Sequence, residues 1–323
     1  MKAGIIGTGY YVPPKIVTNH DLEKIMNTSD DWIVSRTGIR ERRYAENEST
    51  SDLAVQAALK ALAAGKVGPD AIEMVILATI TPDYPWPATA CLVAQKLGLG
   101  NVPAFDISAA CTGFIYALAL AKSLVESGAY NNILLIGVEK FSAFMNPEDR
   151  NISVLFADGA GACLVGNSKE SEIVSVSLGS DGSKAGLLCV PGGGSVYPTN
   201  QQTIIEKLQF MKMDGKEVFK NAVLRMPQAL DEALQKASLT AEQLDFFIAH
   251  QANIRIIDYI AKKYNWPPEK VIINIQKYGN TSAATIPLAL AEAIEEGKIH
   301  KGSLVGMTAF GAGLTWGGAI VKI

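Results

Sequence analysis

The chain has 323 residues, 48% of them hydrophobic, and a formal net charge of −3. It can therefore fill a sizeable core in two domains or one large duplicated one, and its charge gives no overall attraction to nucleic acid or an anionic membrane. No apolar run approaches the ~20 residues of a membrane span, and four widely spaced cysteines indicate neither a zinc site nor a disulfide framework, so we expect a soluble protein of the reducing cytosol.

The first predicted element is a strand at residues 3–6, followed by the segment GTGYYVPP. Its GxG pattern resembles the start of a dinucleotide fingerprint. Pro13 and Pro14 forbid the helix that should begin there, which excludes a Rossmann site.

Two short helices are predicted next. Asn19 is expected to cap the first, and Ser29 or Asp30 to cap the second, which contains Trp32. Arginines beside an exposed Trp are typical of a solvated face. The less common alternative is a site where a nucleotide stacks on the ring and its phosphates pair with the arginines.

Strands and helices then alternate, as in α/β domains. Helices are expected at 51–64, 88–97 and 114–124, strands at 72–78, 102–107 and 132–137, and a hairpin through DGAGA at 154–165. The polar segment NSKESE that follows has the composition of a surface connection. We place a boundary there, between an N-terminal half (1–166) and a C-terminal half (167–323).

Cys111 falls at the junction between the strand at 102–107 and the helix at 114–124. A thiol at the first turn of a helix lies beside free N–H groups and the positive end of the helix dipole. This position lowers the pKa of the thiol and favours the thiolate. The alternative for a free Cys is a small residue of the core.

The second half repeats the first. LDFFIAHQAN corresponds to IEMVILATIT, the stretch KVIINIQKYGNTSAATIPLALAEAI to NVPAFDISAACTGFIYALALAKSL, and GSLVGMTAF to NNILLIGVE. Such similarity predicts duplicated α/β halves related by a pseudo-twofold axis. Equivalent strand ends from both halves would then converge on one central site.

Two residues of the second half lie at turns that correspond to those of the first. His250 ends the strand DFFIAH. Asn280 lies in YGNTSAA, the segment that corresponds to the Cys111 turn in the first half. Alone, His250 would be read as a structural histidine and Asn280 as a cap. Together, Cys111 supplies a nucleophile, His250 a group for proton transfer or an oxyanion donor, and Asn280 an amide donor.

Four segments carry a resemblance to a known family: SAACTGF around Cys111, HQANIRI around His250, NIQKYGNTSAA around Asn280, and FGAGLTWG from Phe310. In order and spacing the whole chain resembles the β-ketoacyl-acyl-carrier-protein synthase III family, thiolase-fold condensing enzymes that begin bacterial fatty-acid synthesis. The resemblance implies an α/β fold of two βαβαβαββ halves with pseudo-twofold symmetry, in five αβαβα layers.

Carried onto this sequence, the resemblance makes Cys111 the nucleophile that accepts the acyl group, and His250 with Asn280 the pair that promotes decarboxylation. The enolate oxygen needs two donors, which a neutral His Nε2–H and the Asn amide supply. Backbone N–H groups of Cys111 and Ala312 would form the oxyanion hole. The family often has Gly where this chain has Ala312, but only the N–H is required.

The resemblance also implies where the two thioesters bind. It assigns coenzyme A and its pantetheine arm to Thr28, Trp32, Arg36, Arg150, Phe219 and Asn253. It assigns docking of an acidic carrier protein to Lys220, Arg255, Lys262 and Lys263. For Lys262 and Lys263 an ordinary solvated helix face is an equal alternative.

The resemblance finally implies a cytoplasmic homodimer that condenses a short acyl-CoA, such as acetyl-CoA, with malonyl-acyl-carrier protein. In that dimer Trp86 would reach across the interface and close the far end of the acyl pocket. Neither a metal nor a redox cofactor is implied, and neither nucleic acid nor a membrane is expected as a partner.

Other functions leave different signatures. Thiolases use a second Cys and elongating synthases a second His where this chain has Asn280, and a papain-type hydrolase would need a CGSCW-like segment, which is absent. Condensing enzymes of polyketide or alkylquinolone type share the Cys, His and Asn and stay open as alternatives. A catalytically silent acyl-binding protein on the same scaffold would be expected to lose one of the three.

Overall fold

The computed structural model describes residues 1–323. The strands are β1 (Ala3–Tyr11), β2 (Ile16–Thr18), β3 (Glu41–Arg43), β4 (Met74–Ala78), β5 (Ala104–Ile107), β6 (Asn132–Lys140), β7 (Asp158–Asn167), β8 (Glu172–Ser180), β9 (Leu188–Cys189), β10 (Lys212–Met213), β11 (Phe246–Ala249), β12 (Leu304–Gly311) and β13 (Thr315–Lys322).

The helices are α1 (Asn19–Glu23), α2 (Asp30–Thr37), α3 (Thr50–Gly65), α4 (Thr89–Lys96), α5 (Gly113–Glu126), α6 (Arg150–Ser153), α7 (Gln201–Ile205), α8 (Gly215–Ala237), α9 (Ile254–Lys263), α10 (Ile275–Tyr278) and α11 (Thr285–Glu295). None of them combines the length and apolar character that a membrane crossing needs.

Two large sheets have matching strand orders. The first is β1-β7-β6-β4-β5, and the second, read from β8, is β8-β13-β12-β11. In each sheet, the first strand is antiparallel to its neighbour. The equivalent pairs β4 with β6 and β11 with β12 are parallel. Residues 168–171 connect the two sheets. The predicted duplication is therefore confirmed.

The counterpart of β5 is reduced to a single bridge between Phe247 and Val271. Beyond this bridge, hydrogen bonds from the side chain of Gln251 take the place of backbone pairing between the two segments. Its Nε2 donates to Ala249 O (2.8 Å), and its Oε1 accepts from Asn274 N (3.2 Å). The correspondence between KVIINI and the strand at 102–107 therefore extends to one bridge and not to a full strand.

The layers follow from which side of each sheet is apolar. Helices α3 and α4 cover the outer face of the first sheet, and α8 and α9 cover that of the second. Helices α5 and α11 lie between the sheets, in a core of 29 buried residues that takes side chains from both. Since α5 and α11 are equivalent helices of the two halves, the molecule has the expected five αβαβα layers.

The hairpin expected at 154–165 is wrong. DGAGA lies inside the single strand β7, which pairs with β1 on one side and β6 on the other. A Cβ at Gly161 would lie 2.5 Å from the backbone nitrogen of Leu288 on α11. The glycines are therefore needed for close packing of the central helix on the strand rather than for a turn.

Two predicted boundaries also differ. The first strand continues through the glycines to Tyr11 because β7 pairs with it along its length. Thr18, not Asn19, caps α1, and the Asn19 amide instead donates to Asp30 (2.8 Å) and to Ile39 O (2.8 Å). Ser29 caps α2 as predicted.

Candidate active site

The two central helices begin at equivalent turns. Cys111 lies in a 3-10 turn (Ala110–Thr112) just before α5, and the matching 3-10 turn (Ser282–Ala284) comes just before α11. Ala110 and Ser282 both adopt left-handed backbone conformations, with φ of 48° and 49°. The two turns pack against each other. The strand-to-helix junctions of the two halves therefore meet in the middle of the molecule, as the repeat predicted.

The three predicted chemical residues line one cavity of about 1010 Å³. They are almost buried, with exposed fractions of 6% for Cys111, 2% for His250 and 4% for Asn280. His250 follows β11 and its N–H donates to Thr308 O (2.8 Å). The backbone of Asn280 is held by Leu155 O, which accepts from its N–H at 2.9 Å. All three are thus held by backbone at turns and at a strand end, where they line the cavity.

The cavity opens to the surface between α2, α8 and α9. Four residues assigned from the resemblance line it: Arg36, Phe219, Asn253 and Arg255. The guanidinium of Arg255 lies 5.7 Å from the Phe219 ring centre, and Asn253 Nδ2 donates to Arg36 O (2.9 Å). Lys212 and Lys216 also line the cavity and were not predicted. The segment that carries them, from β10 to the start of α8, contains no motif, so only the positive charge of the two lysines pointed to them.

Trp32 lies between two guanidinium groups, outside the lining of the cavity. Arg36 and Arg150 each lie 4.8 Å from its ring centre. Arg150 also donates to Asn27 O (2.8 Å), and the buried Thr28 Oγ1 has no hydrogen-bond partner. Trp32 and Arg36 of α2 and Arg150 of α6 therefore form one cluster in the structure.

A smaller cavity of about 50 Å³ adjoins the sulfur. It is lined mainly by apolar side chains, together with Cys111, Ala312 and Cys189. The Ala312 N–H has no backbone acceptor, and its carbonyl accepts from Thr315 Oγ1 (3.0 Å). A Cβ at Gly311 would lie 2.7 Å from the Cys111 nitrogen, so this turn passes directly over the nucleophile.

Trp86 does not line either cavity. Its exposed fraction is 82%, the highest among the large apolar residues of the chain. Within one chain it therefore closes neither of these two cavities.

The expected thiolate is wrong for the protein without substrate. Burial raises the pKa of Cys111 to about 12, the charge of Glu139 adds to the rise, and a hydrogen bond with Ser282 opposes it. Cys111 does lie directly before α5, which begins at Gly113, but desolvation of a buried charge outweighs the favourable effect of the helix terminus. The thiol is therefore protonated.

His250 is neutral, since burial lowers its pKa to about 3. Its Nδ1 lies 2.7 Å from Thr285 Oγ1, and that hydroxyl in turn donates to Ser282 O (2.9 Å). In this arrangement Nδ1 carries the proton and Nε2 is an acceptor. Ser282 O also accepts from the Thr285 N–H, so the hydroxyl can turn to Nδ1 without leaving that carbonyl unpaired.

The Asn280 amide has one fixed orientation. Its Oδ1 accepts from the Ser282 N–H (2.8 Å), which leaves Nδ2 as the free donor. Ser282 thus contacts Asn280 through its N–H, Thr285 through its C=O and Glu139 through its hydroxyl. Sequence reasoning missed both Ser282 and Glu139. The available signal was an acidic residue directly after the apolar run NILLIGV.

The residues assigned to carrier-protein docking differ in whether their charge is already paired with an acidic side chain. Lys220 pairs with Glu217 (3.6 Å), and Lys263 pairs with Asp231 (3.0 Å). Lys262 is exposed near the end of α9, while Arg255 lies near its start, beside the cavity. No group of three or more His, Cys, Asp or Glu side chains is arranged to hold a metal ion.

Comparison with known proteins agrees with this geometry. The family model for 3-oxoacyl-[acyl-carrier-protein] synthase III matches residues 105–182, and the model for its C-terminal part matches residues 234–323. A β-ketoacyl-[acyl-carrier-protein] synthase III from Campylobacter fetus is 51% identical over 99% of this chain and 98% of its own length.

Two solved structures extend the comparison. The 3-oxoacyl-[acyl-carrier-protein] synthase III of Aquifex aeolicus is 48% identical with a TM-score of 0.92, over 99% of this chain and 100% of that one. The priming β-ketosynthase of the R1128 polyketide pathway is 35% identical with a TM-score of 0.93, over 100% and 96%. The chain belongs to the β-ketoacyl-acyl-carrier-protein synthase III family, acyltransferases of the thiolase fold.

Proposed function

We propose that this enzyme condenses a short acyl-CoA with malonyl-acyl-carrier protein through an acyl group carried on Cys111. One observation carries the proposal: Cys111, His250 and Asn280 lie together at the base of a cavity whose mouth is lined by cationic side chains. Thioesters of long phosphorylated arms fit such a cavity, because the reacting end reaches the buried site while the phosphates stay near the surface.

In the first half-reaction Cys111 attacks the acyl thioester. Exchange between two thioesters keeps the acyl group activated for the next attack. The tetrahedral intermediate carries an oxyanion, for which the N–H groups of Cys111 and Ala312 are the proposed donors. The apolar cavity of about 50 Å³ beside the sulfur is then the place for a short acyl chain.

In the second half-reaction the malonyl thioester loses carbon dioxide and becomes an enolate. Its oxygen accepts from Asn280 Nδ2 and from His250 Nε2–H. The donor role of Nε2 requires the Thr285 hydroxyl to donate to Nδ1, which the geometry of that hydroxyl allows. A neutral imidazole suits this role, since the buried site does not have to hold a charged ring.

The mouth of the cavity would bind the carriers. Trp32, Arg36 and Arg150 are proposed for the nucleotide of coenzyme A, and Thr28, Phe219 and Asn253 for its pantetheine arm. Lys220, Arg255, Lys262 and Lys263 are proposed for the acidic carrier protein. The proposal includes a cytoplasmic homodimer, in a compartment where a free Cys111 stays reduced.

Mass spectrometry of the intact protein with acyl-CoAs tests the acyl transfer. We expect an acetyl mass on Cys111 and none on Cys111→Ala. His250→Ala and Asn280→Ala should still take up the acetyl group but condense on the order of 10²-fold more slowly. Condensation by Asn280→Ala at the wild-type rate would contradict its role. Preference for a long or branched primer would instead favour a specialised polyketide-type enzyme.

Carrier docking has its own test. Arg255→Glu should raise the KM for malonyl-carrier protein more than that for acyl-CoA, by an amount that shrinks as salt increases. Lys298→Glu, an exposed change near the end of the chain's last helix, is the matched control. An equal, salt-independent loss with both substrates would argue against a docking role.

A further inference from the structure

Arg42 is a fully buried arginine that the proposed reaction does not use. It lies in the middle of β3, which forms a two-stranded sheet with β2. Its guanidinium donates to three neutral oxygens: Val17 O (3.2 Å), Asn19 Oδ1 (2.8 Å) and Val154 O (2.9 Å). Its Nε has no hydrogen-bond partner. Burial of a cation that bonds to no carboxylate is costly, which indicates that these contacts do more than fill the core.

Asn280 is held by the segment that begins at the last of these Arg42 contacts. Leu155 O accepts from the Asn280 N–H (2.9 Å), and the Ala157 N–H donates to Asn280 O (2.9 Å). The two bonds belong to an isolated parallel bridge between Phe156 and Asn280. The backbone of Asn280 therefore takes its position from this segment.

This bridge has a regular strand on one side only. On that side the chain continues into β7, which is paired along its length. On the other side lies the end of the short helix α6, whose last carbonyl groups need donors from outside the helix. Tyr44 Oη donates to Ser153 O (3.2 Å), and Arg42 Nη2 donates to Val154 O (2.9 Å). These two side chains thus fix the backbone from which the bridge starts.

The stem of Arg42 also borders the turn before Asn280. Gly279 has a left-handed backbone conformation, with φ of 62°. A Cβ at this glycine would lie 3.0 Å from Leu155 O and 3.4 Å from Arg42 Cβ. The arginine stem and the Leu155 carbonyl therefore pack directly against the residue that precedes Asn280.

We infer that Arg42 is a positioning residue for decarboxylation: by holding Val154 O it fixes the bridge that sets the place of the Asn280 amide. The inference rests on the proposed function, in which Asn280 Nδ2 donates to the enolate oxygen. Because the Ser282 N–H holds Oδ1, a fixed backbone leaves Nδ2 one direction in which to point. A lysine would not replace Arg42, since a planar guanidinium matches acceptors from two segments at once and a flexible ammonium does not.

Separate measurement of the two half-reactions tests this role. Acetylation of Cys111 by acetyl-CoA is followed by intact mass. Decarboxylation is followed as labelled carbon dioxide released from malonyl-carrier protein by enzyme that is already acetylated. In Arg42→Lys we expect decarboxylation to slow on the order of tenfold, in kcat rather than KM, and acetylation to stay within about twofold, because only the enolate donor is displaced.

Hydrogen exchange resolved to single amides examines the bridge itself. The N–H groups of Ala157 and Asn280 both donate in it, so they should be protected in the wild type. In Arg42→Lys both should lose protection, whereas the amides of β6 should keep theirs. Fast exchange of these two amides in the wild type would overturn the inference without any variant.

Two further variants separate positioning from folding. Arg225→Lys is the matched control, because Arg225 packs on the Trp316 ring (4.5 Å to its centre) and donates to Gln228, outside both cavities. It should keep both rates and the protection of the bridge. Arg42→Met removes every donor and should slow decarboxylation further than Arg42→Lys does. Where Arg42→Met fails to fold, Arg42→Lys and the wild-type exchange carry the test.

The outcomes are distinct. Equal losses in the two half-reactions, or an unchanged rate of decarboxylation in Arg42→Lys, overturn the inference alone. So does a bridge that stays protected in a variant that decarboxylates slowly. A wild type that takes up no acetyl group on Cys111 overturns the proposed function and the catalytic part of the inference with it. The exchange data then still decide whether Arg42 holds the backbone of Asn280.

Discussion

At the scale of single residues, the position of one hydroxyl proton decides what His250 can do. The Thr285 hydroxyl can donate either to Ser282 O or to His250 Nδ1, and the imidazole then exposes an acceptor or a donor at Nε2. Because burial keeps the ring neutral, its tautomer rather than its charge sets its chemistry. Thr285 is in this sense a positioning residue, acting through His250.

Thr285→Val should therefore affect the two half-reactions unequally. Valine keeps the shape but removes the hydrogen bond to Nδ1, worth about 0.5–1.5 kcal/mol. We expect the release of carbon dioxide from malonyl-carrier protein to slow up to roughly tenfold, with a smaller change in acetylation of Cys111. Thr285→Ser should restore the rate. Equal losses in both steps, unrescued by serine, would indicate a packing role instead.

The residue scale also shows what a sequence can and cannot reveal about this site. Cys111, His250 and Asn280 were predicted because the repeat placed them at equivalent turns. The protonation of Cys111 was not predicted, because the pKa of a thiol depends on its burial and on nearby charges. Here the charge is that of Glu139, which is distant from Cys111 in the sequence. Ser282 was missed because its hydroxyl contacts Glu139, which lies far from it in the sequence.

At the scale of elements, glycines decide how closely the central helices approach the first sheet. A Cβ at Gly137 would lie 2.3 Å from Ala283 O, and one at Gly161 would lie 2.5 Å from Leu288 N. Both neighbours belong to backbone around α11, which cannot move without shifting the Ser282 turn. Sequence reasoning took the glycines of β7 for a turn, since glycine serves turns and close packing alike.

Gly161→Ala should accordingly destabilise the protein. Overpacking of this kind costs about 1–3 kcal/mol, and the strain falls on the helix that carries the Ser282 turn. Chemical denaturation should show a lower free energy of unfolding, together with slower acetylation of Cys111. Gly68→Ala is the control, because its Cβ meets nothing within 4 Å and its φ of −76° suits alanine. Equal stability of the two variants would contradict the packing argument.

At the scale of the whole molecule, the exposed Trp86 is best explained by a second copy of the chain. Its exposed fraction of 82% leaves a large apolar surface in water, between Pro85 and Pro87. In the proposed homodimer it would close the acyl pocket of the partner and limit the length of the primer. The duplication of the fold was predictable from the internal sequence repeat. Contacts between two copies of a chain produce no such repeating pattern, so the sequence alone does not predict them.

Trp86→Ala should then lengthen the primers that the enzyme accepts. Each added methylene gains about 0.8 kcal/mol of burial once the ring no longer blocks it. The measurement is acetylation to dodecanoylation of Cys111 by intact mass, with the molar mass in solution as a check on dimerisation. Leu59→Ala, another exposed apolar residue, is the control. An unchanged chain-length profile in a dimeric Trp86→Ala would remove Trp86 from the pocket.

The protonated state of buried Cys111 has a consequence for chemicals that attack cysteines. Peroxides and simple alkylating agents react with thiolates, and a thiol whose pKa is raised to about 12 offers them almost none at neutral pH. The resting enzyme is thereby shielded from oxidative damage. A covalent inhibitor would gain little from a more reactive electrophile, and more from a shape that fills the cavity beside the sulfur.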